Sequence, residues 1–522
     1  MFLVTAGAFV DPSIEAEFGR LPPTFLPLGN RRLLRHQFEL ARSFARPICV
    51  SLPDDFEVPP NDRRWMTQHQ VIDLRIPPGL RLGDSILHAL KAMGEPSSPV
   101  RILHGDTLFE SLPNEVDLVS TNVARTSHGW STFESLDHGT TPRSTDSGHA
   151  PRHSEVLSGY FAFGDPRLLL ESLEASGGDL ITAIRRYHQR SPLRPVAGRG
   201  WLDLGDLVNY YRARGRYTTE RAFNDLDVNG RIVRKSSKDT VKIRAEIEWF
   251  RRVPASIRIS CPTMLDDFEQ EGEVGYRLEY LHLPSLSELA VFGELDAVAW
   301  TSMLEACRAF VESCRQQPQP GAVGAEDHRL KTLLRLQRWA QTSSASLEAP
   351  TRLNGRRLPT LLQIVDRLAS RLPSRVDCTL VHGDLCFSNV FYDSRAEIIR
   401  VIDPRGLSFD GRPALGGDPS YDVAKIHHSA VGLYDFILAG EVEVAADAPT
   451  DLRFHLHERP RHAMLRRAFD EVFAAERGAP VTALSALLFL GMLPLHADCP
   501  RRQAALLANG MRLFLEAEGE ES

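Results

Sequence analysis

The rhythm of apolar positions changes part-way along the chain. Up to about residue 215, short apolar runs alternate with stretches in which apolar residues recur every three or four positions. Residues 2–6 and 48–52 read as strands, and 33–42 as a helix. Residues 84–93 read as a helix with Ile86, Leu87 and Leu90 on one face, and 100–103 as a strand running into His104-Gly105-Asp106. Such alternation predicts an α/β domain, a mixed and mainly parallel sheet with helices on both faces. Ligands of such a sheet sit beyond the carboxyl ends of its strands. Residues 138–154, rich in Ser, Thr, Gly, His and Pro, read as a long loop, either plain surface or a lid.

A basic, polar stretch at 212–219 breaks this pattern, and the boundary between two domains, 1–215 and 216–522, falls there. Beyond it two strand-like runs flank Asn229-Gly230, the strongest short-range hairpin signal. A helix over 241–253 and a strand over 276–281 follow. From Ser285 the pattern is mainly helical, broken by one strand–loop–strand block at 379–403. The second domain therefore reads as α+β and bilobal. A small sheet-bearing lobe at about 216–283 precedes a helical lobe at about 284–522, the order of a protein-kinase-like fold. No internal repeat is evident.

Composition narrows the classes. Hydrophobic residues make up 43% and charged residues 25% of the 522, which excludes a disordered or fibrous chain. A net charge of -7 argues against nucleic acid as the main partner, but not against phosphates, for which a few local cations suffice. The seven cysteines are scattered without zinc-ligand spacing, which reads as a reducing, cytoplasmic setting. The N-terminal run lacks the basic flank of a signal peptide. The apolar run at 484–493 is far short of the roughly 20 residues a membrane span needs, and reads as a buried helix.

The chemistry concentrates in Leu380-Val-His382-Gly383-Asp384-Leu-Cys-Phe-Ser-Asn389 and in Ile398-Ile-Arg-Val-Ile-Asp403. Phosphoryl transfer from ATP needs a carboxylate to orient the attacking hydroxyl or take its proton. It also needs oxygen ligands that hold Mg²⁺ against the phosphates. Asp384 supplies the first as the candidate catalytic base, and Asn389 and Asp403 supply the second as metal ligands. This HGDxxxxN block followed by a strand-terminal Asp resembles the aminoglycoside phosphotransferase/choline kinase family. A further match is Gly417-Asp418-Pro-Ser-Tyr-Asp422-Val-Ala-Lys425. The resemblance implies that His382 and Asp422 brace the catalytic loop, although Asp418 and Asp422 also stand where helix N-caps would. It implies a cation on the ATP phosphates held by an acid of the first helix. Lys235 and Glu246 fit those roles, with Lys238, Lys242 and Glu248 as competitors. It puts the adenine-binding hinge at Leu278-Glu279-Tyr280-Leu281, where backbone atoms, those of Glu279 and Leu281 among them, would do the binding. A GxGxxG loop is missing here, as it often is in that family.

In the first domain Asp106 closes a strand, and Trp201-Leu-Asp203-Leu-Gly205-Asp206 precedes a helix over 207–214. Two strand-end carboxylates, Asp106 and Asp203, would share one Mg²⁺ and with it an NTP α-phosphate. Together these motifs resemble the sugar-phosphate nucleotidyltransferases, the GT-A-like pyrophosphorylases, over about residues 1–215. Leu21-Pro-Pro-Thr24-Phe-Leu-Pro-Leu resembles that family's Pro-Lys-x-Leu-x-Pro block. Ser158-Gly159-Tyr-Phe-Ala-Phe resembles its substrate-contacting strand, which implies substrate binding at Gly159. Two departures stand out. The family's GxGxR opening is reduced to Ala6-Gly7-Ala8, and Thr24 replaces its Lys, leaving Arg20, Arg31 or Arg32 to meet a phosphate.

Joined, the two resemblances imply a bifunctional enzyme. A kinase phosphorylates a sugar or alcohol hydroxyl with ATP, and a nucleotidyltransferase joins the product to a nucleotide from a second NTP, for surface-polysaccharide synthesis. Mg²⁺ is the implied cofactor and ATP the co-substrate. The expected partners are a sugar or amino alcohol and nucleotides, with no nucleic acid and no membrane span; the oligomeric state stays open. A choline-like acceptor would favour an aromatic cage from Trp249, Tyr276, Trp339 and Tyr434, which otherwise read as core. One alternative is a kinase whose N-terminal half only binds sugar or nucleotide. Another is a non-catalytic binding protein, which intact Asp384, Asn389 and Asp403 disfavour.

Overall fold

The computed structural model describes all residues except 45, 95, 124–154, 216–224, 229–230, 271, 458 and 520–522. The chain divides into two compact units, Met1–Tyr217 and Thr218–Ser522. The loop expected at 138–154 and the Asn229-Gly230 turn lie outside the described residues.

The first unit is built on a seven-stranded sheet. Its order is Arg194–Ala197, Leu118–Val123, Glu155–Phe163, Val100–His104, Phe2–Thr5, Ile48–Pro53, Val71–Ile76. Glu155–Phe163 runs antiparallel to both neighbours, and the other pairs are parallel. Phe2–Thr5 is buried along its whole length, as a central parallel strand must be. Its side chains alternate between the two faces. Leu3 joins a core with Ile86 and Leu90 of helix Leu82–Ala92, Leu169 of Pro166–Glu174 and Ile184 of Leu180–Arg190. Phe2 stacks instead on Phe44 and Tyr160. A short strand, Leu202–Asp203, pairs with Thr107–Leu108 just past the carboxyl end of Val100–His104, with Asp203 opposite Thr107.

The second unit opens with a four-stranded antiparallel sheet in the order Asp225–Val228, Ile232–Ser237, Glu273–Glu279, Met264–Gln270. Helix Thr240–Arg252 is capped by Asp239, whose side chain accepts from the Lys242 N–H, and it buries Ile243, Ile247, Trp249 and Phe250. A helical lobe follows. Its core gathers Leu361 and Ile364 of helix Leu361–Ala369, Leu487 and Leu490 of Ala479–Gly491, and Leu506 and Phe514 of Pro500–Glu518. Ala479–Gly491 is the helix that accounts for the late apolar run. Among the described residues no helix is long and apolar enough to cross a membrane.

The helical lobe carries more strand than the apolar pattern predicts. Pro318–Val323, Val376–Leu380 and Gly416–Gly417 form one sheet. Arg356–Thr360, Pro350–Leu353, Asp451–Leu456 and Val442–Ala448 form another. The expectation of a single strand–loop–strand interruption is therefore corrected. The added strands are short and half-exposed. Buried Leu353, Leu452 and Phe454 alternate with exposed Arg352 and Arg453, so no continuous apolar run marks them.

Candidate active sites

In the second unit, strand Val376–Leu380 delivers the turn His382-Gly383-Asp384, and the hairpin Val390–Asp393/Ile398–Val401 returns the chain to Asp403. Asp422, in the first turn of helix Tyr421–Ala430, holds the turn in shape. Its Oδ2 accepts from the His382 N–H at 2.7 Å and its Oδ1 from the Gly383 N–H at 2.8 Å. Burial pushes the Asp422 carboxyl up to about 6, against the pull of those two donors. Gly383 has a φ of +77°, and a Cβ there would stand 2.8 Å from the Arg405 Cβ, so the turn requires glycine. His382 is fully buried, its Nδ1 accepts from the Asp384 N–H at 3.3 Å, and burial drives its pKa down to about 4. It is therefore a neutral spacer at pH 7. Neither acid acts as the N-cap, which is Ser420. Asp418 Oδ2 instead meets His328 Nε2 at 2.9 Å.

Asn389 Nδ2 donates to the Asp384 carbonyl at 2.9 Å and to Asp384 Oδ2 at 3.1 Å. The Ile402 N–H donates to the Asn389 carbonyl at 3.0 Å, which ties the end of the Asp403 strand to the same loop. Asp403 itself has a φ of +58°, a conformation that non-glycine residues keep mainly where surrounding structure and function demand it. Lys235 Nζ bridges Glu246 Oε2 at 2.7 Å and Asp403 Oδ1 at 3.0 Å. The Tyr276 hydroxyl donates to the same Glu246 oxygen at 2.7 Å. Burial works against the Lys235 ammonium, but Asp403 and Glu246 outweigh it and hold its pKa above the ordinary value. Lys242 reaches Glu246 only at 3.9 Å, and Glu248 pairs with Arg252 at the surface. At the end of strand Glu273–Glu279, Glu279 Oε1 pairs with Arg400 at 2.7 Å. The Leu281 N–H makes no hydrogen bond among the described residues.

In the first unit Asp106 and Asp203 converge. The Leu204 N–H donates to the Asp106 carbonyl at 2.8 Å. A Cβ added at Gly205 would stand 2.8 Å from Asp106 Oδ2 and 3.3 Å from Asp203 Oδ1. Both carboxylates line a pocket of about 550 Å³ together with Arg81, His104, Ser158 and Gly159. Asp203 Oδ2 accepts from Asn209 Nδ2 at 2.6 Å and its Oδ1 from the Gly205 N–H at 3.0 Å. Burial, reinforced by the charge of Asp106, pushes the Asp203 carboxyl up to about 6 despite those donors. No cluster of three or more His, Cys, Asp or Glu side chains suited to a metal ion occurs among the described residues.

Residues 217–455 match the phosphotransferase enzyme family, APH. The second unit carries an APH phosphotransferase domain. Among solved structures, the chain is similar to a thermostable mutant of the aminoglycoside phosphotransferase APH(4)-Ia in ternary complex with ADP and hygromycin B. The identity is 16%, covering 57% of this chain and 92% of that one, with a TM-score of 0.37. It is similar to the inositol-1-phosphate CTP transferase of T. maritima at 8% identity, covering 41% of this chain and 95% of that one, with a TM-score of 0.30. It is also similar to HddC of Yersinia pseudotuberculosis complexed with GMP-PN, at 15% identity, covering 42% of this chain and 99% of that one, with a TM-score of 0.29. No curated protein matches the sequence.

The APH domain holds one residue to which the sequence pattern assigned no role. Lys425 is buried, and its Nζ meets Asp384 Oδ1 at 2.8 Å. Burial opposes its charge, and Asp384 more than compensates, so its pKa lies above the ordinary value. The available signal was its position three residues after Asp422, on the same helix face. The four aromatics offered as a cage form none. Trp249 and Tyr276 are buried in the small lobe, the Trp249 Nε1–H donating to the Val381 carbonyl at 2.9 Å, while Trp339 and Tyr434 belong to the helical-lobe core.

Of the three arginines offered for a phosphate in the first unit, Arg32 is excluded: it is buried, with Nε on Asp62 at 3.0 Å and Nη1 on the Phe25 carbonyl at 2.8 Å. Arg31 is exposed, and Arg20 is an exposed side chain paired with Asp55 at 3.0 Å. Thr24 is buried and donates to Gln37 Oε1 at 2.6 Å, and Gln37 Nε2 in turn donates to the carbonyls of His104, Gly105 and Thr107. Thr24 thus supports the turn that carries Asp106. Arg81, which the sequence pattern passed over, is a cation on the pocket wall.

Proposed function

We propose that the chain is a bifunctional cytoplasmic enzyme. Its APH domain phosphorylates a hydroxyl of a sugar or alcohol with ATP. Its first unit then transfers a nucleotidyl group from an NTP to that phosphate, an oxygen of the phosphate bonding to the α-phosphorus as pyrophosphate departs, giving a conjugate of the kind used in surface-polysaccharide synthesis. The observation that carries the kinase half is the Lys235 bridge, one ammonium on both Glu246 and Asp403, beside Asp384 and Asn389. In this reading Lys235 meets the ATP phosphates and the backbone at Glu279–Leu281 takes the adenine. Asp384 orients the acceptor hydroxyl and receives its proton. The hydroxyl oxygen bonds to the γ-phosphorus as the bond to the departing ADP breaks. Lys425 holds Asp384 in position.

Asn389 and Asp403 fit Mg²⁺, which binds hard oxygens and needs only one or two carboxylates beside phosphates and water. The nitrogen of Asn389 is committed to Asp384, which leaves its amide oxygen to serve as the ligand. Asp106 and Asp203 fit a second ion, because two like charges share one gap at Gly205. Bound at these places, Mg²⁺ neutralises phosphate charge.

A second reading has its own support. With Thr24 and Arg32 committed to internal bonds, the first unit would bind a nucleotide or sugar without transferring it. Mass-spectrometric product analysis with ATP, CTP, GTP and UTP and a pool of sugars and alcohols separates the two. A nucleotide conjugate supports the bifunctional reading, and a phosphorylated product alone supports the second. Absence of any ATP-dependent phosphorylation overturns both.

A further inference from the structure

Beside Asp384 the APH domain gathers cations that have no carboxylate of their own. Helix Ala325–Ser343 carries Lys331 and Arg335 one turn apart, and the segment after Asp403 carries Arg405. Lys331 Nζ donates to the Tyr421 hydroxyl at 3.0 Å and stands 4.7 Å from the centre of the Phe409 ring. The Arg405 guanidinium stands 5.4 Å from that same ring. Arg335 Nη1 donates to the Gly491 carbonyl at 3.1 Å and Arg405 Nη2 to the Ser408 carbonyl at 3.4 Å. Among the described residues, none of the three has an Asp or Glu oxygen within 4.0 Å. The nearby acid is Asp384, already taken by Lys425 at 2.8 Å.

Solvated surface cations would need no partner, but all three side chains are half-buried. Burial first, then the charges of Arg405, Arg335 and Lys425, holds the Lys331 ammonium well below its ordinary pKa, with Asp384 acting the other way. Arg335 is lowered in the same manner, burial again leading. Like charges withdrawn from water destabilise an empty site, and an arriving anion relieves them. Of the three, Arg405 lines a cavity of about 400 Å³ that reaches Gly383 of the catalytic turn. Phe409 and Tyr421, the two rings against which Lys331 stands, line the same cavity.

We propose that the acceptor is an anionic hydroxy compound, a sugar phosphate or a sugar acid. Lys331, Arg335 and Arg405 hold its phosphate or carboxylate while a free hydroxyl meets Asp384. The inference rests on the phosphotransferase reading and narrows its substrate class. The acceptor oxygen forms the bond to the γ-phosphorus of ATP, the bond to the ADP oxygen breaks, and the hydroxyl proton passes to Asp384. A cationic amino alcohol would meet charge of its own sign at this wall.

The test is calorimetric titration of the full chain, loaded with Mg²⁺ and a non-hydrolysable ATP analogue. The probes are glucose 6-phosphate, glucuronate, glucose and choline, so that phosphate and carboxylate are distinguished. At least one anion should bind about tenfold or more tightly than glucose and choline. Lys331→Met with Arg335→Gln should abolish that preference, and Lys331→Arg should keep it. Choline or glucose binding as tightly as both anions overturns the proposal. So does failure of both anions to bind, or wild-type anion affinity in a double variant that melts like wild type. If the double variant does not fold, Arg335→Gln alone decides, since its anion affinity must fall. None of these results touches the phosphotransferase reading. That reading falls separately, if Asp384→Asn leaves ADP production unchanged.

Discussion

Lys425 Nζ stands 2.8 Å from Asp384 Oδ1, while Asn389 Nδ2 stands 3.1 Å from Asp384 Oδ2. The two oxygens of the candidate base are thus each held by a different neighbour, one charged and one neutral. Breaking a fully buried ion pair costs about 3–5 kcal/mol. The Asp384 side chain is 37% exposed, so the cost here falls below that range. Lys425→Met should therefore lower Tm modestly. Its larger effect should be on kcat, with the KM for ATP little changed, because Lys235 and the hinge are untouched. Equal losses in kcat and in ATP affinity would show that Lys425 supports the nucleotide site rather than the base.

The two proposed chemistries should separate cleanly by mutation. Asp384→Asn keeps the size of the side chain and removes the proton acceptor, so phosphorylation should fall on the order of 10²–10⁴-fold. Gly205→Ala should do the opposite. Its Cβ would sit 2.8 Å from Asp106 Oδ2, in the gap where the two carboxylates meet. Phosphorylated product should then accumulate without nucleotide conjugate. Conjugate formation at the wild-type rate in Gly205→Ala, measured by mass spectrometry, would place nucleotidyl transfer somewhere other than this gap.

Lys235 neutralises two carboxylates, whereas neutralising Glu246 still leaves Lys235 paired with Asp403. Lys235→Met leaves Glu246 and Asp403 without the ammonium that bridges them, with only the more distant, half-exposed Lys242 beside Glu246. It should destabilise the second unit by about 3–5 kcal/mol and abolish ATP binding. Glu246→Gln keeps Lys235 paired with Asp403 and should be the milder change in both stability and ATP affinity. The order is checked by thermal melting with and without Mg·ATP. Equal losses from the two substitutions would mean that the Asp403 contact contributes little.

The legible part of this molecule was the part whose chemistry lies in one stretch. His382 to Asn389 and then Asp403 span a single hairpin, and strand–turn geometry alone brings them together. Lys235 and Glu246 were within reach of pattern reading because a strand and the following helix fix their register. Lys331 and Arg335 lie on a helix that carries no motif, and their neighbours Phe409 and Tyr421 arrive from distant segments. Arg32 reads as a free cation until Asp62, thirty residues away, folds onto it. The extra strands of the helical lobe were hidden by alternation with charged residues, since a half-exposed strand needs only every second position to be apolar.

His427 supplies a pH dependence that is independent of either active site. It is buried in helix Tyr421–Ala430 with its ring 5.2 Å from that of Phe469, and the charges that face it are Glu516, Arg466 and Arg512. Burial drives its pKa down to about 3, with Glu516 opposing and the two arginines adding to the shift. In the unfolded chain the imidazole titrates near its ordinary value of about 6.5. The folded pKa is the lower one, so between these values the unfolded state binds a proton that the folded state excludes. Stability therefore rises with pH across that window and is independent of this group above about pH 7. His427→Phe keeps a ring against Phe469 and removes the titration. Relative to wild type, the variant should gain stability as the pH falls, by roughly 1.4 kcal/mol per unit below 6.5, or roughly 2 kcal/mol at pH 5. Comparing the two proteins cancels the opposite contribution of Asp422, whose raised carboxyl loses stability as pH rises toward 6. Urea midpoints of the second unit's transition at pH 5, 6, 7 and 8 read the difference directly. Parallel curves for wild type and variant from pH 5 to 8 would mean that His427 takes up its proton in the folded state as readily as in the unfolded one.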